Sequence, residues 1–193
     1  LREALAHRFG VAVEKILVGN GATELIHLLA RTLVRQGDRV AIFTPTFGEY
    51  EVACRKESAR LSTYPAQEEA DFRWDIERGV GFLHRLRPRL VWLCNPNNPT
   101  GVYLSQVEAT ALLEGSAEGW FIIDEAFLPF VDEPWDTLNL LKDSRVVLLR
   151  SMTKDYALAG LRIGYALGDK DVIEALRKVR SPWSVNAAAQ FAA

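Results

Sequence analysis

Short, almost uninterrupted apolar runs alternate along this chain with longer amphipathic stretches. Such runs are typical of strands whose sheet is covered by helices on both faces. The candidate strands are Arg39–Phe43, Ala59–Tyr64, Leu90–Cys94, Trp120–Ile123, Val146–Arg150 and Ile163–Leu167. The candidate helices are Thr23–Arg35, Phe47–Glu57, Ile76–Leu86, Gln106–Glu114 and Asp171–Arg180. The pattern predicts an α/β fold, a three-layer α/β/α sandwich with a mostly parallel sheet.

The 193 residues are enough for one domain with a sizeable core. The net charge of -2, with acidic and basic residues interspersed, gives no reason to expect nucleic acid or a membrane as a partner. Cys54 and Cys94 do not have the spacing of a metal site or a disulfide framework, and we expect a cytoplasmic protein without a metal. Leu1–Phe9 has the pattern of a helix already under way, and Asn186–Ala193 that of a helix without a stop signal. We therefore expect residues 1–193 to be one domain of a longer protein.

Polar clusters follow the apolar runs directly. Asn95–Gly101, Asp124–Phe127 and Ser151–Lys154 each follow a candidate strand, and Gly19–Thr23 follows the shorter apolar run Ile16–Val18. In open α/β sheets, ligands bind beyond the carboxyl ends of the strands. The sequence therefore predicts that the four clusters gather at one edge of the sheet and form a site there.

Two of these clusters carry groups suited to a phosphate. Glycines before a helix allow a sharp turn, and the helix start presents free N–H groups. Taken alone, Gly19–Thr23 is more often a plain turn that Thr23 caps. Ser151 and Thr153 offer hydroxyls, and Arg162 offers a fork of donors. Lys154 lies among them, and we expect partial desolvation beside Arg162 to favour an amine that attacks a carbonyl. Without these neighbours, a lysine in a loop would be read as a solvated surface charge.

The other two clusters carry an amide and a carboxylate. Asn95–Gly101 contains two prolines and three asparagines, which favours a rigid turn that holds Asn98 at a fixed position. Asp124 ends an apolar strand, where a carboxylate is costly unless it is paired. It is either a helix or turn cap or the partner of a buried cation such as a pyridinium nitrogen.

Five motifs occur in the order found in one enzyme family. They are Gly-Asn-Gly-Ala-Thr-Glu, Pro-Thr-Phe-Gly-Glu-Tyr, Asn-Pro-Asn-Asn-Pro-Thr-Gly, Asp-Glu-Ala-Phe and Ser-Met-Thr-Lys followed by Gly-Leu-Arg-Ile-Gly-Tyr. From about Ile16 to its end, the chain resembles the class I/II aminotransferases, which belong to fold type I of the pyridoxal-phosphate (PLP) enzymes. The resemblance implies the PLP-binding large domain, whereas an N-terminal segment and a small C-terminal domain would lie outside this chain.

The resemblance also implies residue roles. Lys154 would hold PLP as a Schiff base and move protons at the substrate α-carbon, and Asp124 would keep the ring nitrogen protonated. Asn98 would bind the ring hydroxyl, and Phe47 would stack on the ring, with Tyr50 a weaker candidate. The phosphate would be held by Gly21, Ala22, Thr23, Ser151, Thr153 and Arg162. Many relatives carry a tyrosine at the position of Phe127, so one hydrogen bond to the ring oxygen would be absent here.

Two branches of the family remain open, and both act on an amino acid or amine phosphate. Phe127 and the segment Pro182–Asn186 are similar to threonine-phosphate decarboxylases, which serve cobalamin biosynthesis, and we favour that branch. The rest of the pattern is equally similar to histidinol-phosphate aminotransferases, which serve histidine biosynthesis. Trp183 within that segment could instead be an ordinary core aromatic.

Functions of other kinds are also compatible with the resemblance. Some transcription regulators carry an aminotransferase-like sensor domain that keeps the lysine, and a structural remnant without PLP is a further alternative. A remnant has no reason to keep Lys154, Asp124, Asn98 and Arg162 together. The family forms homodimers with sites at the interface, so the resemblance implies a homodimer of the full-length protein.

Overall fold

The computed structural model describes residues 1–192, which form one seven-stranded sheet with helices on both faces. The strands are β1 (Ile16–Asn20), β2 (Arg39–Thr44), β3 (Arg60–Pro65), β4 (Leu90–Cys94), β5 (Trp120–Asp124), β6 (Val146–Ser151) and β7 (Ile163–Gly168). The helices are α1 (Arg2–Phe9), α2 (Gly21–Leu33), α3 (Glu49–Lys56), α4 (Ile76–Leu86), α5 (Gln106–Gly115), α6 (Lys170–Val179) and α7 (Ala187–Ala192). Within residues 1–192, no helix has the length and apolar character needed to span a bilayer.

The strands are arranged in the order β1-β7-β6-β5-β4-β2-β3. β7 runs antiparallel to its neighbours β1 and β6, and the other adjacent pairs are parallel. The carboxyl ends of β1, β4, β5 and β6 and the amino end of β7 therefore meet at one edge of the sheet. The predicted α/β/α sandwich with a mostly parallel sheet is confirmed.

Side chains of the central strands alternate between the two faces, because successive residues of a strand point in opposite directions. Trp92, Ile122 and Leu149 pack under α2, α3 and α6, whereas Leu93 and Ile123 pack on the side of α1, α4 and α5. The same alternation places the last residues of β4, β5 and β6 on the α2–α3 side. These residues are Cys94, Asp124 and Ser151.

The predicted elements are all present, with shifts at their ends. The run Ile16–Val18 becomes the edge strand β1, which pairs with β7 through five residues. α2 begins at Gly21, two residues before the predicted start at Thr23, because the glycine supplies the positive φ of 75° that the turn requires. Thr23 therefore lies inside the helix, and the interpretation of Thr23 as its cap is wrong.

Candidate active site

The four polar clusters meet in one cleft at the edge of the sheet, as the sequence predicts. The cleft is lined by Ala22, Thr23, Phe47, Tyr50, Cys94, Asn98, Asp124, Ala126, Phe127, Ser151, Thr153, Lys154 and Arg162. Gly21 lies beside Arg162 at the start of α2. The structure thus brings together every residue that the sequence predicts for the site.

The start of α2 forms one wall of the cleft. Its N-cap residue Asn20 makes no side-chain capping hydrogen bond, which leaves N–H groups of the first turn available to a ligand. A β-carbon on Gly164 of β7 would come within 2.6 Å of the backbone nitrogen of Ala22. The glycine therefore allows α2 to start directly against β7, and the N–H groups of the helix face the cleft with the positive end of the helix dipole.

Hydroxyl and guanidinium groups stand around this helix start. The hydroxyls of Ser151 and Thr153 are 2.7 Å apart and both residues are buried, and the backbone N–H of Thr153 also donates to the Ser151 oxygen. Arg162 is exposed and donates to the carbonyl oxygen of Ala159 through Nη1. Together with the N–H groups of α2, these donors match what an anion with several oxygens requires.

Asp124 is the buried charge of the cleft, with 3% of the residue exposed. Its Oδ1 accepts a hydrogen bond from the backbone N–H of Ala126, and its Oδ2 accepts one from the Tyr50 hydroxyl at 2.8 Å. Burial raises the pKa of Asp124, while these two hydrogen bonds and the charge of Lys154 act in the opposite direction. Asp124 thus caps a turn with one oxygen, as the first interpretation of this residue states, and it is also a buried carboxylate at the cleft.

The Asn95–Gly101 turn is fixed by two of its three asparagines. Asn95 exchanges side-chain hydrogen bonds with the backbone of Leu104. Asn97 accepts from Thr46 and donates to the carbonyl oxygen of Pro45 and the hydroxyl of Thr100. Asn98 makes no side-chain hydrogen bond within residues 1–192 and lines the cleft, so its amide is available to a ligand.

Lys154 projects into the open part of the cleft. Its Nζ lies 5.6 Å from the centre of the Phe127 ring, in the arrangement of a cation–π contact. The prediction that Lys154 is partly desolvated is wrong for this chain, because the loop that follows β6 lies on the outer rim and both Lys154 and Arg162 are exposed.

Three aromatic residues differ in how they relate to the cleft. Phe47 lines it and packs edge-on against Tyr50. Tyr50 is not free to stack on a cofactor, since the residue is 1% exposed and its ring stacks on Trp92. Trp183 is 95% exposed and does not line the cleft, so the alternative interpretation of Trp183 as a core aromatic is wrong.

Sequence reasoning gave no role at this end of the sheet to Cys94 and Glu125, and it considered Tyr50 only as a weaker candidate for stacking. Tyr50 binds Asp124, and Cys94 lines the cleft beside it, with a thiol pKa that burial and the charge of Asp124 raise to about 12. Glu125 forms a buried ion pair with Arg150, with 2.8 Å between Oε2 and Nε. The alternation of the strands could have placed Cys94 beside Asp124, but no sequence signal joins Tyr50 to Asp124, which is 74 residues away.

Comparisons with known proteins agree with this geometry. The family model described as aminotransferase class I and II matches residues 1–193. The chain is 38% identical over 196 residues to a histidinol-phosphate aminotransferase of Anaeromyxobacter sp. (strain Fw109-5). The match covers 100% of this chain and 53% of that protein. The chain thus spans about half the length of this curated relative.

Solved structures give the same picture. An L-threonine-O-3-phosphate decarboxylase from Porphyromonas gingivalis superposes with a TM-score of 0.85 at 32% identity, covering 99% of this chain and 58% of that one. A histidinol-phosphate aminotransferase from Clostridium acetobutylicum superposes with a TM-score of 0.86 at 27% identity, covering 98% and 56%. Proteins similar to this chain therefore include both a decarboxylase and aminotransferases.

Proposed function

Because this chain belongs to the class I and II aminotransferases, whose cofactor is PLP, we propose that residues 1–193 are the PLP-binding large domain of an enzyme that acts on an amino acid or amine phosphate. The observation that carries the proposal is the cleft, where a nucleophilic amine, a buried carboxylate and a set of phosphate donors meet. Each of these groups suits a different part of one cofactor.

The residues of the cleft fit PLP by their chemistry. Gly21, Ala22 and Thr23 at the start of α2, with Ser151, Thr153 and Arg162, would hold its phosphate. Asn98 has a free amide for the ring hydroxyl, and Phe47 would cover a ring face. Asp124 is a carboxylate whose pKa is raised by burial, and a protonated ring nitrogen beside it would favour its ionised form.

The chemistry requires few further groups from this chain. Bound PLP withdraws electrons from the substrate α-carbon, which allows one of its bonds to break. Lys154 would hold the cofactor covalently through Nζ and, once displaced by a substrate amine, would move a proton at the α-carbon. Asp124 would keep the ring nitrogen protonated throughout. Lys154 and Asp124 are therefore the proposed catalytic residues.

Decarboxylation of a threonine phosphate, a step of cobalamin biosynthesis, is the first candidate reaction. It is supported by Phe127, which lines the cleft without a hydroxyl, and by the similarity to the Porphyromonas gingivalis decarboxylase. Transamination of histidinol phosphate is the second candidate, supported by the 38% identity to the Anaeromyxobacter aminotransferase.

A homodimer and a cytoplasmic location belong to the same proposal. The two free, buried cysteines are consistent with a reducing compartment.

Absorption of bound PLP tests the site. Full-length protein mixed with PLP should show a visible absorption band, and reduction with borohydride should leave the cofactor attached to the protein. Lys154→Ala should lose both the band and the attachment. Lys178→Ala is a matched control, because Lys178 forms an exposed ion pair with Glu174 on α6, and it should behave as wild type. A wild-type protein without a lysine-dependent band would contradict the proposed site.

Substrates then separate the two reactions. O-phosphothreonine and histidinol phosphate are added separately to the PLP-loaded protein. Release of carbon dioxide from the first identifies the decarboxylase, and transfer of the amino group from the second to an oxo acid identifies the aminotransferase. If neither substrate reacts although PLP is bound through Lys154, both candidate reactions are wrong while the cofactor site stands.

A further inference from the structure

Tyr50 places its hydroxyl directly on Asp124 and is itself held from several sides. Its ring stacks on Trp92 with 4.9 Å between the ring centres and 11° between the planes, and Phe47 packs edge-on at 5.8 Å. Trp92 is held in turn, since its Nε1 donates to Cys54 Sγ at 3.2 Å. The phenol oxygen therefore has little freedom, and its position fixes where Oδ2 of Asp124 can lie.

The direction of this hydrogen bond follows from the chemistry of the two groups. An ionised carboxylate can only accept, so the hydroxyl of Tyr50 donates to Oδ2 of Asp124. Burial raises the pKa of Tyr50 well above its usual value of 10.0, and the nearby charge of Asp124 raises it further. Tyr50 thus keeps its proton at any pH at which the protein works, and the donor is permanent.

Few other charged or titratable groups act on Asp124. Cys94 faces it from β4, Glu125 follows it in the chain, and Lys154 approaches from the loop after β6. Cys94 stays neutral because burial raises its thiol pKa to about 12. Tyr50 is therefore the side-chain hydrogen-bond donor to this carboxylate among residues 1–192, next to the backbone N–H of Ala126.

We propose that Tyr50 is a positioning residue that holds Asp124 in one orientation and so sets the pH range over which its carboxylate balances a protonated ring nitrogen. This inference rests on the proposed function. Removal of the hydroxyl takes away a hydrogen bond that favours the ionised carboxylate, so Asp124 becomes protonated at a higher pH. A protonated Asp124 no longer balances the ring nitrogen, and cofactor binding should weaken from that pH downward.

The test uses pyridoxamine 5′-phosphate, which has no aldehyde to react with Lys154 and so reports non-covalent contacts alone. Its dissociation constant is measured by fluorescence between about pH 5 and 9 with full-length wild type and Tyr50→Phe. At pH values at which Asp124 of the variant is protonated, we expect Tyr50→Phe to bind at least about tenfold more weakly, since loss of the hydrogen bond raises the pKa of Asp124. The acid limb is the part of the pH profile in which the dissociation constant rises as pH falls. In Tyr50→Phe it should lie at higher pH than in wild type.

A second ligand separates this role from a general structural one. An analogue with carbon in place of the ring nitrogen offers Asp124 no cation, so its dissociation constant should differ by less than about twofold between the two proteins. Tyr64→Phe is the matched control, because Tyr64 donates to the backbone of Asp75 away from the cleft. Equal weakening of both ligands, or an unchanged acid limb, would overturn the inference.

Two further outcomes are distinguishable. A wild-type protein that does not bind pyridoxamine 5′-phosphate overturns the proposed function and this inference with it, whereas normal binding by Tyr50→Phe overturns this inference alone. Should Tyr50→Phe not fold, 3-fluorotyrosine at position 50 keeps the ring and is a stronger donor. The 3-fluorotyrosine protein should then show its acid limb at lower pH than wild type, and an unchanged acid limb would contradict the inference.

Discussion

A β-carbon built on Gly21 would lie 2.8 Å from Nη2 of Arg162, so the first residue of α2 and the residue before β7 share one small space. Gly21 has a φ of 75° and Arg162 a φ of 58°, so both backbones are in the left-handed region. The guanidinium can lie against the helix start only because position 21 has no side chain. This contact joins the two halves of the proposed phosphate site.

Gly21→Ala should displace the Arg162 guanidinium and weaken phosphate binding. We expect about tenfold weaker binding of PLP, measured as the dissociation constant, because one charge-assisted contact is lost. Gly37→Ala is the matched control, since Gly37 also has a positive φ, of 84°, but a β-carbon there meets nothing within 4 Å. Both variants should lose about 1 kcal/mol of stability from the strained backbone. Equal PLP affinity in the two variants would contradict a role for the Gly21–Arg162 contact.

Asp124→Asn should change how stability depends on pH in the cofactor-free protein. The folded-state pKa of Asp124 is raised by burial, so its stabilising contribution is present below the unfolded-state value of 3.8 and is lost as pH rises through the folded-state value. The asparagine cannot ionise. As pH rises from 3.8 through the raised folded-state value, the free energy of unfolding should therefore fall less in the variant than in wild type, measured by denaturant titration at each pH.

Asp143→Asn provides a control of opposite sign. Burial acts to raise the pKa of Asp143, but hydrogen bonds and the charge of Arg145 outweigh it, and the pKa is lowered. Its contribution is present above the unfolded-state value and is lost as pH falls, so Asp143→Asn should be destabilised relative to wild type at neutral pH and approach it in acid. If the free energy of unfolding changed with pH in the same direction in both variants, the changes could not be attributed to the substituted carboxylates.

Phe127→Tyr should strengthen cofactor binding. The Phe127 ring lines the cleft beside Lys154 and Asn98, and a hydroxyl there could donate a hydrogen bond to the cofactor. One such bond contributes about 1 kcal/mol, which corresponds to about fivefold tighter PLP binding in a dissociation measurement. Phe130→Tyr changes an exposed ring in the same short segment and should leave affinity unaltered. Weaker binding by Phe127→Tyr would indicate that the hydroxyl does not fit.

Glu125→Ala should destabilise the fold. The side chain of Glu125 is fully buried and that of Arg150 is 16% exposed, so removal of the carboxylate leaves a largely buried guanidinium without its partner. We expect a loss of about 3–5 kcal/mol in the free energy of unfolding. Glu51→Ala, which breaks the exposed pair with Arg55 on α3, should cost less than about 1 kcal/mol. A loss no larger than that of Glu51→Ala would contradict a stabilising role for the buried pair.

The sequence by itself determined the layered fold and the edge at which the site lies. Apolar runs such as Val146–Arg150 and Leu90–Cys94 predict buried strands, because their hydrophobic pattern is local and needs no knowledge of neighbours. Residues just past such strands, among them Asn98, Asp124 and Lys154, must meet at one edge once the strands are parallel. The predicted cleft followed from that rule and from the family resemblance.

The tertiary structure alone decided which side chains touch within the cleft. Tyr50 and Asp124 are far apart in sequence, and their contact depends on how α3 packs on the sheet against Trp92. The contact of Arg162 with Gly21 likewise depends on the antiparallel pairing of β7 with β1. The exposure of Lys154 depends on what covers the rim of the sheet. Burial and long-range hydrogen bonds are properties of packed elements, whereas sequence patterns report only the elements that pack.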